Sequence, residues 1–185
     1  MSRVLTVPDA ERVAATVVAG FRDVPDFPEP GVVFKDITPL LADASAFATV
    51  VAALAEVARA TGATAVAGIE ARGFMLAAPA AERAGLGFWP IRKAGKLPAP
   101  VHRRDYALEY GTAALELSAH TVGAGERVLV VDDVLATGGT ARAACELLEE
   151  AGAEVVGLAV LLELGFLAGR PQLGQRPVLA LHTEA

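Results

Sequence analysis

Two adjacent carboxylates, Asp132 and Asp133, follow four apolar residues, Val128-Leu129-Val130-Val131, and precede the run Val134-Leu135-Ala136-Thr137-Gly138-Gly139-Thr140. The apolar run has the character of a strand buried on both faces. Parallel sheets open their ligand crevices at the carboxyl ends of such strands, which is where the pair falls. The Thr-Gly-Gly-Thr segment then turns into a helix. Its glycines let a ligand approach the backbone, free N–H groups at the helix start favour an anion, and the threonine hydroxyls add donors. Carboxylates repel a phosphate placed directly on them, so they face sugar hydroxyls or a cation held between the two. A phosphorylated sugar satisfies both halves. A plain strand–turn–helix with a capped end is the alternative for the carboxylate pair alone, and the Thr-Gly-Gly-Thr spacing argues against it. The chain has no G-x-x-x-x-G-K-[ST] loop for a nucleoside triphosphate, because Gly95-Lys96 is followed by Leu97. Gly123-Ala124-Gly125 precedes a strand and lacks the third glycine of a dinucleotide fingerprint.

Helical and extended signals alternate along the chain, which predicts an α/β fold with a largely parallel sheet. An opening helix ends near Gly20 and presents Val13, Val17, Val18 and Phe21 on one face. A Pro-rich loop, Asp26 to Gly31, leads into the extended run Val32-Val33-Phe34. A second helix starts after Asp43 as N-cap and buries Phe47, Val50, Val51, Leu54 and Val57. Ala65 to Ile69 reads as a buried strand, followed by Glu70-Ala71-Arg72-Gly73 and a helix ending around Gly85. Further strands are expected at Gly87 to Arg92, Val155 to Leu162 and, more weakly, Val178 to Leu181, with a helix over Thr140 to Glu150. Lys93 to Tyr110 carries charge, proline and tyrosine without a helical stripe, and reads as a mobile excursion.

At 185 residues, 54% hydrophobic and 21% charged, the chain reads as a single domain over residues 1–185 with a core of its own. A formal charge of −6 argues against nucleic acid or an anionic membrane as partner, although a local basic loop can still take a small anion. Cys145 stands alone, which excludes an intramolecular disulfide and a Cys-based zinc site, and it falls in an apolar helical pattern. Asp9, Glu11 and Arg12 interrupt the first stretch, so no secretory signal is expected. The apolar run Val155 to Leu162 falls well short of the ~20 residues a bilayer requires. A soluble, cytoplasmic protein is the expectation.

The stretch from Val128 to Thr140 resembles the phosphoribosyl pyrophosphate loop of the type I phosphoribosyltransferases. Four more stretches narrow the resemblance to the adenine-using enzymes of that family. They are Asp26-Phe27-Pro28-Glu29-Pro30-Gly31-Val32-Val33-Phe34-Lys35-Asp36-Ile37-Thr38-Pro39, Gly68-Ile69-Glu70-Ala71-Arg72-Gly73-Phe74, Arg92-Lys93-Ala94-Gly95-Lys96-Leu97-Pro98 and Tyr106-Ala107-Leu108-Glu109-Tyr110-Gly111. Their order and spacing match as well, over nearly the whole chain. Two departures stand out: Lys35 occupies a position where arginine is common, and Val101 to Asp105 is more charged than the family pattern.

The resemblance implies an α/β, type I phosphoribosyltransferase-like core, a central mostly parallel sheet flanked by helices, with a small hood mainly from the N-terminal segment. It implies purine salvage, in which the ribose 5-phosphate of phosphoribosyl pyrophosphate passes to adenine, forming AMP and pyrophosphate. Asp132 and Asp133 then hold the ribose hydroxyls, and their charge favours an oxocarbenium-like centre at C1. Ala136, Thr137, Gly138, Gly139 and Thr140 cradle the 5-phosphate. Glu70, Ala71 and Arg72 form the pyrophosphate loop, in this family often with a cis peptide; a surface ion pair is the plainer reading of Arg72. Arg92, Lys93 and Lys96 clamp the departing pyrophosphate, although alone such a cluster reads as a solvated face. Phe27 stacks on the base, or else merely anchors its loop in the core, while backbone groups near Val33 and Lys35 read the edge of the base. Glu109 resembles the acid/base residue beside the reactive purine nitrogen, on a lid of about residues 93–110. Mg²⁺ is expected with phosphoribosyl pyrophosphate, carried mainly by substrate oxygens rather than by a protein site. A homodimer is implied. Regulators that bind the same sugar need a DNA-binding module, for which this chain has neither length nor a basic helix. The Phe-Pro-x-Pro-Gly segment disfavours a 6-oxopurine enzyme. His102, His120 and His182 show no ligand spacing.

Overall fold

A computed structural model describes residues 6–107, 112–123 and 125–185. In chain order the elements are α1 (Ala10–Gly20), β1 (Arg22–Pro25), β2 (Val33–Asp36), α2 (Thr38–Ala42), α3 (Ala44–Thr61), β3 (Ala65–Ile69), α4 (Arg72–Ala84) and β4 (Gly87–Lys93). They continue as β5 (Val101–Ala107), β6 (Thr112–Ser118), β7 (Arg127–Leu135), α5 (Gly139–Glu150), β8 (Glu154–Leu164), two 3-10 turns (Gly165–Leu167 and Arg170–Leu173) and β9 (Val178–Glu184).

Seven strands form one sheet in the order β5-β6-β4-β3-β7-β8-β9. The five from β4 to β9 are parallel, and β6 and β5 extend the β4 edge antiparallel. All five residues of β3 are buried, as are Val128 to Val131 of β7. Such strands need a cover on both faces, and the period of two divides them. Val66, Leu129 and Val131 join Val13, Val17, Val50, Leu54 and Leu76 of the helices α1, α3 and α4 on one side. Ala65, Ala67, Val128 and Val130 meet Ala144, Cys145 and Leu148 of α5 on the other.

Asp43 caps α3 as expected, its Oδ1 accepting from Ser45 N at 2.8 Å and Ala46 N at 2.9 Å. Such a cap contributes about 1 kcal/mol. By length and mean hydropathy α3 could cross a bilayer, but here Val50, Val51, Leu54 and Val57 turn into the core. The start of α4 lies hard against β7: a Cβ on Gly73 would sit 2.7 Å from the Val131 carbonyl oxygen. That close approach sets Arg72 beside the carboxylates of β7, just past its pairing with β3. The N-terminal β1–β2 pair forms its own two-stranded antiparallel ribbon.

Two expectations need correction. Val18 is 54% exposed, so only Val13 and Val17 of its predicted face are buried, with Phe21 partly so. The stretch from Lys93 to Tyr110 is not an irregular excursion throughout. Val101 to Ala107 is strand β5, paired with β6 from Val101↔Ser118 to Ala107↔Thr112. Its period of two is hidden because polar residues occupy both faces. Arg103 and Asp105 line a cavity, while Arg104 reaches α5 to pair with Glu146 at 2.5 Å and with Glu150. Glu109 and Tyr110 lie outside the described residues.

Candidate active site

Strand β7 carries Asp132 and Asp133 to the crest of the sheet. Asp133 is 3% exposed, and Arg72 Nε lies 3.0 Å from its Oδ2. That ion pair falls short of hydrogen-bond geometry, and Asp133 Oδ2 accepts no hydrogen bond from the described residues. Burial raises the Asp132 carboxyl well above the ordinary range, reinforced by the negative charge of Asp133. Burial raises Asp133 too, with Arg72 opposing. A crest of this kind favours groups that share a proton or bring positive charge.

Arg72 also joins the crest to the N-terminal ribbon. Its Nη1 donates to the Lys35 carbonyl at 3.0 Å, and its guanidinium carbon sits 4.8 Å from the centre of the Phe34 ring. Phe27 meets Phe34 edge-on, centroids 5.1 Å apart. Phe27 is 51% exposed, which removes the reading of it as a core anchor; Val33 is exposed as well. The Lys35 carbonyl accepts from Arg72, which fixes the backbone of the ribbon at this point. The Lys35 side chain is buried and pairs with Asp23 at 2.9 Å and Glu184 at 2.6 Å. Arg72 is thus more than a surface ion pair: it ties ribbon, helix and sheet together.

After β7 the chain turns through Ala136 and Thr137 into α5. Gly138 is the helix N-cap, at φ 85° and ψ −8°, and no side chain caps the helix start. The first turn carries no acidic residue. Gly139 is already helical, so Gly138 is the residue whose conformation needs glycine. A Cβ on Gly138 would stand 2.4 Å from the Gly169 carbonyl oxygen. Sequence reasoning missed the segment after β8, which closes the cradle from behind. A Cβ on Gly169 would lie 2.0 Å from the Ala136 carbonyl oxygen. Arg170, paired with the buried Glu163 and donating to the Val178 carbonyl at 2.8 Å, anchors that segment. The spacing Gly165, Gly169, Pro171 after a strand was its only trace in sequence.

The Glu70–Ala71 peptide is cis. The Glu70 carboxylate accepts from Lys93 N at 2.8 Å and from Arg92 at 3.3 and 3.4 Å. Burial alone would raise Glu70, but the Lys93 N–H, Arg92 and Lys96 together hold it below the usual carboxylate range. Arg92 also donates to the Lys96 carbonyl at 3.3 Å, so it braces the turn that carries Lys93 and Lys96. A cavity of about 590 Å³ opens between these groups and the β5–β6 hairpin, lined by Glu70, Lys93, Arg103, Tyr106, Thr112 and Thr140 among others. The structure therefore brings Asp132, Asp133 and Arg72 together on the crest, with Glu70 and Lys93 sharing a cavity with Thr140 of the cradle. Among the described residues no group of three or more His, Cys, Asp or Glu is arranged to hold a metal ion.

Residues 40–172 match the family model described as a phosphoribosyl transferase domain. Over 184 residues the chain is 87% identical to an adenine phosphoribosyltransferase of Kineococcus radiotolerans, covering 100% of each. A crystal structure of adenine phosphoribosyltransferase from Rhodothermus marinus is similar with a TM-score of 0.88 at 44% identity, over 94% of this chain and 99% of that one. The Saccharomyces cerevisiae enzyme, complexed with an imino-altritol bisphosphate and adenine, is similar with a TM-score of 0.87 at 34% identity, over 92% and 99%.

Proposed function

The chain belongs to the phosphoribosyltransferase family, and we propose that it transfers the ribose 5-phosphate of phosphoribosyl pyrophosphate to adenine, forming AMP and pyrophosphate in purine salvage. The observation that carries this reading is the crest of β7. There, Asp132 and Asp133, with Arg72 Nε 3.0 Å from the latter, stand two strand residues and one short loop before a helix start that no side chain caps.

The uncapped N–H groups of α5, with the Thr137 and Thr140 hydroxyls, take the 5-phosphate. Asp132 and Asp133 accept from the ribose hydroxyls. As the bond from C1 to pyrophosphate breaks and N9 of adenine bonds to C1, positive charge gathers on the sugar, and these carboxylates favour it. Glu70, Ala71 and Arg72, with Lys93 and Lys96, receive the departing pyrophosphate, while Arg92 holds their turn in shape. Phe27 offers an exposed ring for the base, whose edge meets the backbone near Val33 and Lys35. Glu109 accepts the N9 proton or orients the ring, on a lid of residues 93–110 that keeps water from the charged centre.

Mg²⁺, carried mainly by the oxygens of phosphoribosyl pyrophosphate, would offset the charge of the leaving group. Asp132 and Asp133 would add negative charge toward a cation borne by the substrate without forming a protein cage. In this reading residues 1–185 act as one unit in the cytoplasm, the ribbon and its helices serving as hood, and two copies form a homodimer.

The test is direct. Purified protein with phosphoribosyl pyrophosphate and Mg²⁺ is offered adenine, hypoxanthine, guanine or xanthine, and nucleotide is measured. Adenine should be used at least ~10²-fold better, since a mismatched edge leaves buried polar groups unpaired. Comparable use of a 6-oxopurine would overturn the base assignment.

A further inference from the structure

We propose that Glu116 is a positioning residue that fixes the cationic turn Lys93–Lys96, an inference that rests on the pyrophosphate role given to that turn above. Glu116 on β6 pairs in register with Arg92 on β4 and with Arg103 on β5. Ile69 pairs with Ile91, so Glu70 comes next to Arg92. The result is a row of alternating charge, Glu70 just past β3, then Arg92, Glu116 and Arg103 on β4, β6 and β5. The two acids do the same work at opposite ends of the turn. Glu70 Oε2 accepts from Lys93 N at 2.8 Å, and Glu116 Oε2 accepts from Gly95 N at 2.9 Å.

Glu116 is only 6% exposed, and a carboxylate buried to that degree needs partners. It has two: the Gly95 N–H and Arg103 Nη1 at 3.4 Å. Gly95 itself sits at φ 77°, the bend that returns the chain toward Lys96. Glu116 is not among the residues lining the cavity below the hairpin. It acts through the turn. Without its charge the Gly95 N–H loses a strong acceptor, and Lys93 and Lys96 lose their common frame.

The experiment compares Glu116→Gln and Glu116→Asp with wild type. Pyrophosphate and AMP affinities are read by calorimetry, and KM for phosphoribosyl pyrophosphate and kcat are read in the steady state. The Gln variant keeps the length and loses the charge; the Asp variant keeps the charge and withdraws it by one methylene. Both should weaken pyrophosphate about tenfold and raise that KM by a similar factor, as the loss of one charge-assisted bond predicts. AMP affinity, which depends on the α5 cradle, and kcat at saturation should stay within about twofold. Unchanged pyrophosphate affinity in a folded variant overturns the proposal, as does an equal fall in AMP and pyrophosphate affinity. A wild-type protein that binds no pyrophosphate overturns the reading of the turn as well. Hydrogen exchange on the wild-type protein gives an independent readout should either variant not fold: the Gly95 amide should be protected, and exchange at the rate of an open loop overturns the proposal.

Discussion

Gly138→Ala separates two demands that the cradle makes on one residue. At φ 85° an alanine costs about 1–2 kcal/mol from its backbone alone. Its Cβ would also stand 2.4 Å from the Gly169 carbonyl oxygen and 3.0 Å from Gln172 Cβ. The first neighbour is backbone, held in turn by its approach to Ala136, so relief requires one loop to move; overpacking of this kind costs about 1–3 kcal/mol more. Gly85→Ala is the control, because Gly85 has φ 75° but no atom within 4 Å of the added Cβ. It loses the backbone contribution only. A domain of this size falls roughly 2–4 °C in Tm per kcal/mol, so Gly138→Ala should melt several degrees below Gly85→Ala. The cradle must open to admit the methyl group, and AMP affinity should fall on the order of 100-fold, about 2.7 kcal/mol. Gly85→Ala should bind AMP as wild type does. Calorimetry and thermal melts on the two variants decide it. A folded Gly138→Ala protein with wild-type AMP affinity, or equal Tm losses in the two, would refute the reasoning.

Asp132→Asn should make the empty protein more stable at pH 7 while lowering turnover on the order of 10²-fold. Burial and Asp133 raise the Asp132 carboxyl; the stability linked to a raised acid is complete below its unfolded value near ~4 and is lost as pH rises through the folded value. The gain in Tm should therefore vanish at pH 3, and a variant no more stable at pH 7, or one as active as wild type, sinks the argument. For Lys35, burial pulls the ammonium down but Glu184 and Asp23 more than offset it, so its stabilisation is complete below the unfolded value near ~10.4 and lost as pH rises through the folded one. Lys35→Met should cost about 1–2 kcal/mol at pH 7, reduced from a fully buried pair because both acids are partly exposed, and melts above pH ~10.5 should show the gap closing.

Much of the candidate site's local geometry was legible because neighbouring residues encode it. A continuous apolar run, two acids and a glycine turn specify strand, crest and helix start with no help from distant segments. The Asp43 cap was readable for the same reason. What the chain concealed is made by contacts between segments. Strand β5 has no apolar face, since Arg104 is spent on α5 and Arg103 on Glu116, so its period of two carries no hydrophobic signal. Gly169 looks like any loop glycine until Ala136 is set against it. The partners of the Lys35 side chain, Asp23 on β1 and Glu184 on β9, come from other strands and leave no sign in the sequence around it.

One pattern across these contacts bears on how a chain of charge −6 can hold an anionic sugar. Arg72 is held against Asp133, Arg92 against Glu70, and Arg103 against Asp105 and Glu116. Each arginine is placed by an acid and is partly neutralised by it, so none offers its full charge to a ligand. In the proposed reading the pull on phosphate then rests chiefly on the uncapped N–H groups of α5, joined by the lysines on the turn braced by Glu70 and Glu116. Helix N–H groups act over short range and in fixed directions, which selects a phosphate seated in the cradle over anions at large. On that reading global charge and local affinity are separated, because the acid-paired arginines contribute mostly geometry while backbone and lysine contribute most of the attraction.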